Sequence, residues 1–156
     1  MITHEELRRL LAGGEQFTAE FLSETDGPLA DDQLVDAVVC LANGHGGVVV
    51  VGVDDDGRTT GAHRRHGSYT DAHRVALMIS GRTVPSCPVE CSVMPIDGVE
   101  VLVIEIPAGR PVTSTSEGVY RRRGTDAHGR PVCVPFLVHE IQGREATRGA
   151  LDYTAL

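Results

Sequence analysis

Five carboxylates stand out by position. Glu15 and Glu20 bracket a short alternating segment, and Asp54-Asp55-Asp56 closes a run of valines. Hard divalent cations such as Mg²⁺ take oxygen ligands, commonly one or two carboxylates completed by water and substrate phosphate. A cation held by acids from separate segments can generate a nucleophilic water or stabilise charge on a phosphodiester in flight. The spacing sets a condition on this chemistry. Residues five apart on one regular strand point to opposite faces. For both glutamates to serve one ion, Glu15 must lie in the turn before the strand, or a bulge must intervene. A plainer reading stands beside this one: Asp-Asp-Asp-Gly is a turn sequence, and Glu15 could cap a strand.

The arginines form the second group. Tyr120-Arg121-Arg122-Arg123-Gly124 sets three guanidinium groups next to an aromatic ring, and Arg64-Arg65-His66 adds charge elsewhere. On a strand, Arg121 and Arg123 share one face and Arg122 takes the other. The guanidinium fork suits phosphate, so a phosphate-contact patch is one reading. Arginines that balance an acidic domain or blunt a sheet edge are the other. Cys87 and Cys91 lack the tighter spacing of a zinc pair, and no second pair follows. The histidines at 45, 63, 66 and 73 are scattered, without a Ser-His-Asp or Cys-His order. Gly44-His45-Gly46-Gly47 follows a helical pattern and precedes a strand, the reverse of a phosphate-cradling loop. It reads as a helix cap and tight turn.

These residues need elements to position them. Thr3 with Glu6 opens a short helix as a capping box, ended by Gly13-Gly14. Gln16 to Leu22 alternates as a strand, with Phe17, Ala19 and Phe21 on one face. Asp31-Asp32 opens a helix through Leu34, Val38 and Leu41. Val48 to Val53 is a β-branched run that predicts a central strand buried on both faces. Ala72, Val75, Ala76 and Ile79 predict a helix over 69–80, broken by Val84-Pro85. Val89 to Ile96 and Val99 to Ile106 predict a hairpin turning at Asp97-Gly98. Val119 to Arg123 reads as a further strand, and Val134 to Glu145 as a closing helix. Cys91 is expected in the core. The fold class is α+β, with a mixed, largely antiparallel sheet and flanking helices.

Composition bounds the rest. A chain of 156 residues fits one domain. Its 41% hydrophobic and 23% charged content excludes a disordered chain. No apolar run approaches the ~20 residues of a membrane span, and the acidic N-terminus lacks the order of a signal peptide. A cytoplasmic location is the default, with no membrane partner. Four cysteines are too few and too scattered for a disulfide scaffold. The net charge of −8 argues against indiscriminate nucleic-acid binding. The charge is polarised, however. Residues 1–57 carry twelve acidic side chains against Arg8 and Arg9, while residues 58–130 carry ten arginines against seven acids. The chain has no lysine, as codon bias in a GC-rich genome would produce.

In order and spacing, several segments resemble the Schlafen AlbA-type domain family. They are Glu15 followed by Ala19-Glu20-Phe21, then Leu41-Ala42-Asn43 with Gly46-Gly47, then Gly52-Val53-Asp54-Asp55, and Gly61. Ile104-Glu105-Ile106-Pro107, Arg110-Pro111-Val112 and Tyr120-x-Arg122-x-Gly124 complete the set. The resemblance implies an AlbA-like domain over 1–142, with 143–156 a tail or the start of a following region. It implies engagement of RNA or DNA, structured RNA such as tRNA being favoured. In nuclease members, two glutamates and an aspartate form an endoribonuclease site that uses Mg²⁺ or Mn²⁺; Glu15, Glu20 and Asp55 match them, with Asp54 the fallback. Arg121, Arg122 and Arg123 would position phosphates, with Arg64 and Arg65 as outlying contacts. No zinc is expected, because nothing near Pro107 to Val112 completes a set with Cys87. Schlafen cores pair two lobes around a groove, which for a single lobe allows a homodimer. One departure matters: Leu22 stands where the family usually has lysine. Two rival readings remain open, a non-catalytic DNA- or RNA-binding regulatory module and a protein-interaction or dimerisation domain.

Overall fold

Thr3 starts the first helix, α1 (His4–Gly13), by the reciprocal bonds of a capping box. Its hydroxyl accepts from the Glu6 N–H at 3.1 Å, and Glu6 Oε2 accepts from the Thr3 N–H at 3.3 Å. Leu7 and Leu11, one turn apart, bury the inner face. The computed structural model describes the backbone of residues 1–154 and the side chains of residues 1–147.

The principal sheet has four strands in the order β1 (Ala19–Leu22), β2 (Gly47–Val51), β5 (Val99–Ile106) and β4 (Glu90–Ile96). β1 and β2 are parallel, and the other two pairings are antiparallel. The parallel pair needs a crossover, supplied by α2 (Asp31–Ala42). The valine run lies in the middle of the sheet and is buried on both faces, as its lack of alternation predicts. Val49 and Val51 pack with Leu34, Val38 and Ile79 on the side of α2 and α3 (Ala72–Gly81). Val50 and Val53 pack with Leu7, Leu11, Ala19 and Phe21 on the side of α1.

The β4–β5 hairpin turns where expected. Asp97 and Gly98 both have positive φ, 50° and 81°, as a two-residue primed turn requires. Asp71 caps α3 by accepting from the His73 and Arg74 N–H groups. Two short strands, β3 (Thr83–Val84) and β6 (Ser114–Thr115), pair beside it. The chain then forms a separate hairpin of β7 (Arg121–Thr125) and β8 (Pro131–Pro135), followed by α4 (Val138–Thr154). Cys91 is only half-buried, on the edge strand β4.

Three local expectations shift. The first strand begins at Ala19, because Gln16 and Ala19 bridge across a tight turn and turn Phe17 outward. The arginine strand runs two residues later than its apolar start suggests. Val132 to Val134 join it as β8, because cross-strand pairing with Arg122–Gly124 outweighs helical spacing; α4 starts only beyond Pro135.

Two tethers hold the β7–β8 hairpin to the body. The buried Asn43 side chain donates to the Thr113 and Arg121 carbonyls and accepts from the Thr113 N–H, all within 2.8 Å. Cys40 of α2 and Cys133 of β8 form a disulfide across 93 residues of chain. That separation hid the pair in the sequence. Burial pushes the Cys87 thiol up and, with Glu105 nearby, pushes that of Cys91 to about 12, so both free thiols are poor nucleophiles. A cross-link closing so long a loop restricts the unfolded chain. Cys133→Ser is therefore expected to lower unfolding free energy by about 2–4 kcal/mol in urea titrations under oxidising conditions. Reductant should remove the same increment from the wild type and nothing further from the variant.

Candidate nucleic-acid interface

The acidic residues meet where the sheet ends. Gly14, with φ of 74°, closes α1 and leaves Glu15 in the turn before β1. Glu15 Oε1 there accepts the Phe21 N–H at 2.9 Å, folding its side chain back over the start of β1. This satisfies the odd spacing from Glu20, which lies on β1 itself. Asp55 follows the neighbouring parallel strand β2 in an exposed turn. Asp54, next to it, is tied to Ser23 and Arg58.

The electrostatics record the convergence. Burial holds the Glu15 carboxyl above its ordinary range. The charges of Glu20 and Asp55 push in the same direction, while the Phe21 N–H and Arg123 oppose them. Glu15, Asp55 and Asp56 border a cleft of about 560 Å³, closed on the other side by Asp126, Arg130 and Pro131 of the hairpin.

The three consecutive arginines part company, as strand alternation requires. Arg123 is 2% exposed. Its guanidinium bonds Glu20 Oε2 and also donates to the carbonyls of Phe17, Gln16 and Ala19, at 3.2, 2.7 and 3.0 Å. It thus caps the open edge of β1. Arg121, on the same face, reaches Asp36 of α2 at 3.6 Å. Arg122, on the opposite face, bonds Glu140 of α4 through Nε and Nη2 at 2.9 and 2.8 Å. Arg122 and the Leu137 N–H hold the Glu140 carboxyl below its ordinary range, the backbone bond contributing most.

The second arginine pair lies on a different part of the surface. Arg65 is nearly buried, bonded to the fully buried Glu24 at 2.6 Å and to the Leu29 carbonyl. It lines a small cavity with Asp31, His66 and Arg74, while Arg64 is exposed.

A wide groove of about 1150 Å³ runs beside the acidic cleft. Arg110, Arg122, Arg123 and Arg144 line it, together with Phe17, His45 and Phe136, and Glu140 is its one carboxylate. Arg144 donates to the Asn43 carbonyl at 2.5 Å and stacks over Phe136, 4.7 Å from the ring centre. Arg123, paired with Glu20, belongs to the lining of the groove. Phe17, His45 and Arg144 carry no motif signal, because they sit far apart in the chain and only the tertiary fold brings them to one groove with Arg110 and Arg122. The side chain at 22 is explained by packing: Leu22 lies against the core beneath α2. The cation that meets Glu20 comes from β7 instead.

A coordination shell is a stricter demand than convergence. Among the described residues, no three His, Cys, Asp or Glu side chains stand as a ligand group. Arg123 also engages Glu20. As arranged, Glu15, Glu20 and Asp55 do not fit a hard cation, which takes ligand oxygens at ~2.0–2.6 Å.

Fold and site together define an α+β domain of mixed sheet, with an arginine-lined groove set against an acidic cleft. A family model described as Schlafen, AlbA_2 matches residues 15–129, and the chain belongs to that family. Among solved structures, the chain is similar to the DIP2311 protein from Corynebacterium diphtheriae, with a TM-score of 0.61 and 23% identity. That match covers 84% of this chain and 26% of the other, so the domain spans about a quarter of that protein. It is also similar to the N-terminal domain of a RecG-related protein from Nitrosomonas europaea, with a TM-score of 0.51 and 19% identity over 81% of this chain and 92% of that one. These likenesses establish the fold. No curated protein matches the sequence. No helix among the described residues is long and apolar enough to cross a membrane.

Two outcomes follow from this geometry. Removing one partner of a buried, hydrogen-bonded pair costs about 3–5 kcal/mol. Arg123→Met should lose that much in urea unfolding, whereas the half-exposed Arg122→Gln should lose far less. The second concerns Glu15. Its native pKa is raised, so the native state holds more protons than the unfolded state just above pH 4.5. Stability therefore falls as pH rises through that window. Glu15→Gln, which keeps an acceptor for the Phe21 N–H, should raise the melting temperature at neutral pH and flatten its slope in the acid range.

Proposed function

We propose that this domain binds nucleic acid, with the groove between the β7–β8 hairpin, α4 and the Asn43–His45 turn as the binding surface. The observation that carries the reading is the clustering of Arg110, Arg122 and Arg144 around one open groove in a protein of net charge −8. Guanidinium groups gathered on one face give phosphates a local positive field that the overall charge does not predict. The family assignment and the RecG-related neighbour support the same partner. Arg121 adds an outlying contact at the hairpin's start and the exposed Arg64 a remote one, while Arg65 is held internally by Glu24. Arg123 acts by positioning the hairpin.

A second reading is an endoribonuclease at Glu15, Glu20 and Asp55, supported by the mutual electrostatics of these three carboxylates. Mg²⁺ or Mn²⁺ would be its cofactor and structured RNA its substrate. Binding is the reading that the groove supports, and cleavage is a further step that the tRNA assay below decides. A homodimer, with two grooves joined by a two-fold axis, is compatible with either reading and is measured by light scattering.

Binding should show a strong salt dependence by fluorescence anisotropy. Changing Arg122 and Arg144 together to Gln should weaken it and flatten the slope of log K against log salt, by about one for each phosphate left without its arginine. A tRNA incubated with the wild type and Mn²⁺ is expected to stay intact. Cleavage that disappears in Asp55→Asn, an exposed and fold-neutral change, would establish the nuclease reading instead.

A further inference from the structure

Phe17 is an aromatic residue outside both cores, 37% exposed, in a turn that the sequence pattern assigns to the first strand. It is nevertheless held in place. Its carbonyl accepts from Arg123 Nε, and its ring lies over Gly44, where an added Cβ would come within 3.2 Å of Phe17 Cε1 and 3.3 Å of the Arg123 Cβ. The exposed His45 ring leans against it at 5.6 Å, tilted by 45°. This aromatic pair opens into the arginine-lined groove, with Arg122 and Arg144 beside it. At about 1150 Å³ the groove exceeds the ~300–1,000 Å³ of a small-ligand pocket and suits a length of polymer.

Resting on the binding reading above, we infer that Phe17 and His45 form a stacking platform for an unpaired base, so the groove selects single-stranded segments. In a duplex each base face is covered by its neighbours, and a side-chain ring cannot reach it without unstacking. A single strand offers a base face to the aromatic pair while its flanking phosphates meet Arg122 and Arg144. RNA and DNA single strands share this chemistry, and so do the loops and ends of a folded RNA. Gly44 lets the ring approach the backbone closely, and Arg123 fixes the turn that carries it.

The test uses labelled oligouridine, oligothymidine and a duplex of matched length. Wild type should bind at least one single strand more tightly than the duplex. Phe17→Ala should lose roughly ten- to hundredfold in single-strand affinity, with little change toward duplex, and Phe17→Trp should restore it. The chain contains no tryptophan, so Phe17→Trp also installs a unique fluorophore, and its emission should be quenched when the strand binds. Thermal melts of both variants control for folding. If Phe17→Ala binds single strands as well as wild type while the Arg122 and Arg144 variant does not, the platform is refuted and the binding reading stands. If no oligonucleotide binds at low salt, both fall.

Discussion

The Arg123 guanidinium is the group on which the functional face depends. It is buried, its charge is met by Glu20, and its remaining donors are spent on the carbonyls of Gln16, Phe17 and Ala19. Burying an ion pair without such additional bonds costs more than the charge attraction returns. With them, one side chain closes the free edge of β1, fixes the turn that carries Glu15 and Phe17, and docks β7 against the sheet. The Cys40–Cys133 cross-link and the Asn43 side chain secure the same hairpin from the side of α2. The groove and the acidic cleft are therefore both consequences of where this hairpin sits.

That arrangement explains how a chain of net charge −8 can present a basic surface. Of the carboxylates of the first third, Glu15, Asp55 and Asp56 border one cleft, and the rest are spread over α1, β1, α2 and the loops between them. The arginines of the middle third divide by strand parity, Arg123 and Arg121 turning toward the body and Arg122 toward α4. Part of the positive charge is consumed internally, at Glu20, Glu24 and Asp36. Three further arginines, Arg110, Arg122 and Arg144, line one groove with Glu140, so the groove is richer in positive groups than the chain as a whole.

Much of the scaffold was legible in the residues because local physics decides it. The capping box at Thr3, the Asp97-Gly98 turn and the unalternated valine run each specify their element without help from distant parts of the chain. The ordered motifs from Glu15 to Gly124 carried the family. The turn position of Glu15 was also implied, since a five-residue spacing allows both glutamates on one site in no other unbulged way. β8 went unassigned up to Cys133 and its last two residues were read into the closing helix, because a strand that exists only by pairing with β7 has no strong signal of its own. Phe17 was misplaced by a single bridge that shortens β1.

What the sequence determined alone was therefore the helices and strands of the principal sheet, the two-sided core and the inventory of charged groups. These follow from periodicity, turn chemistry and composition, which act over a few residues. Tertiary structure alone decided which arginine is structural and which faces the groove, which cysteines pair, and that Phe17, His45, Arg122 and Arg144 share one surface. Those outcomes depend on residues more than a hundred positions apart, as in the Arg123–Gln16 bond, which spans 107 positions. No local pattern encodes such a separation; only the docking of a hairpin onto a sheet edge brings its ends together.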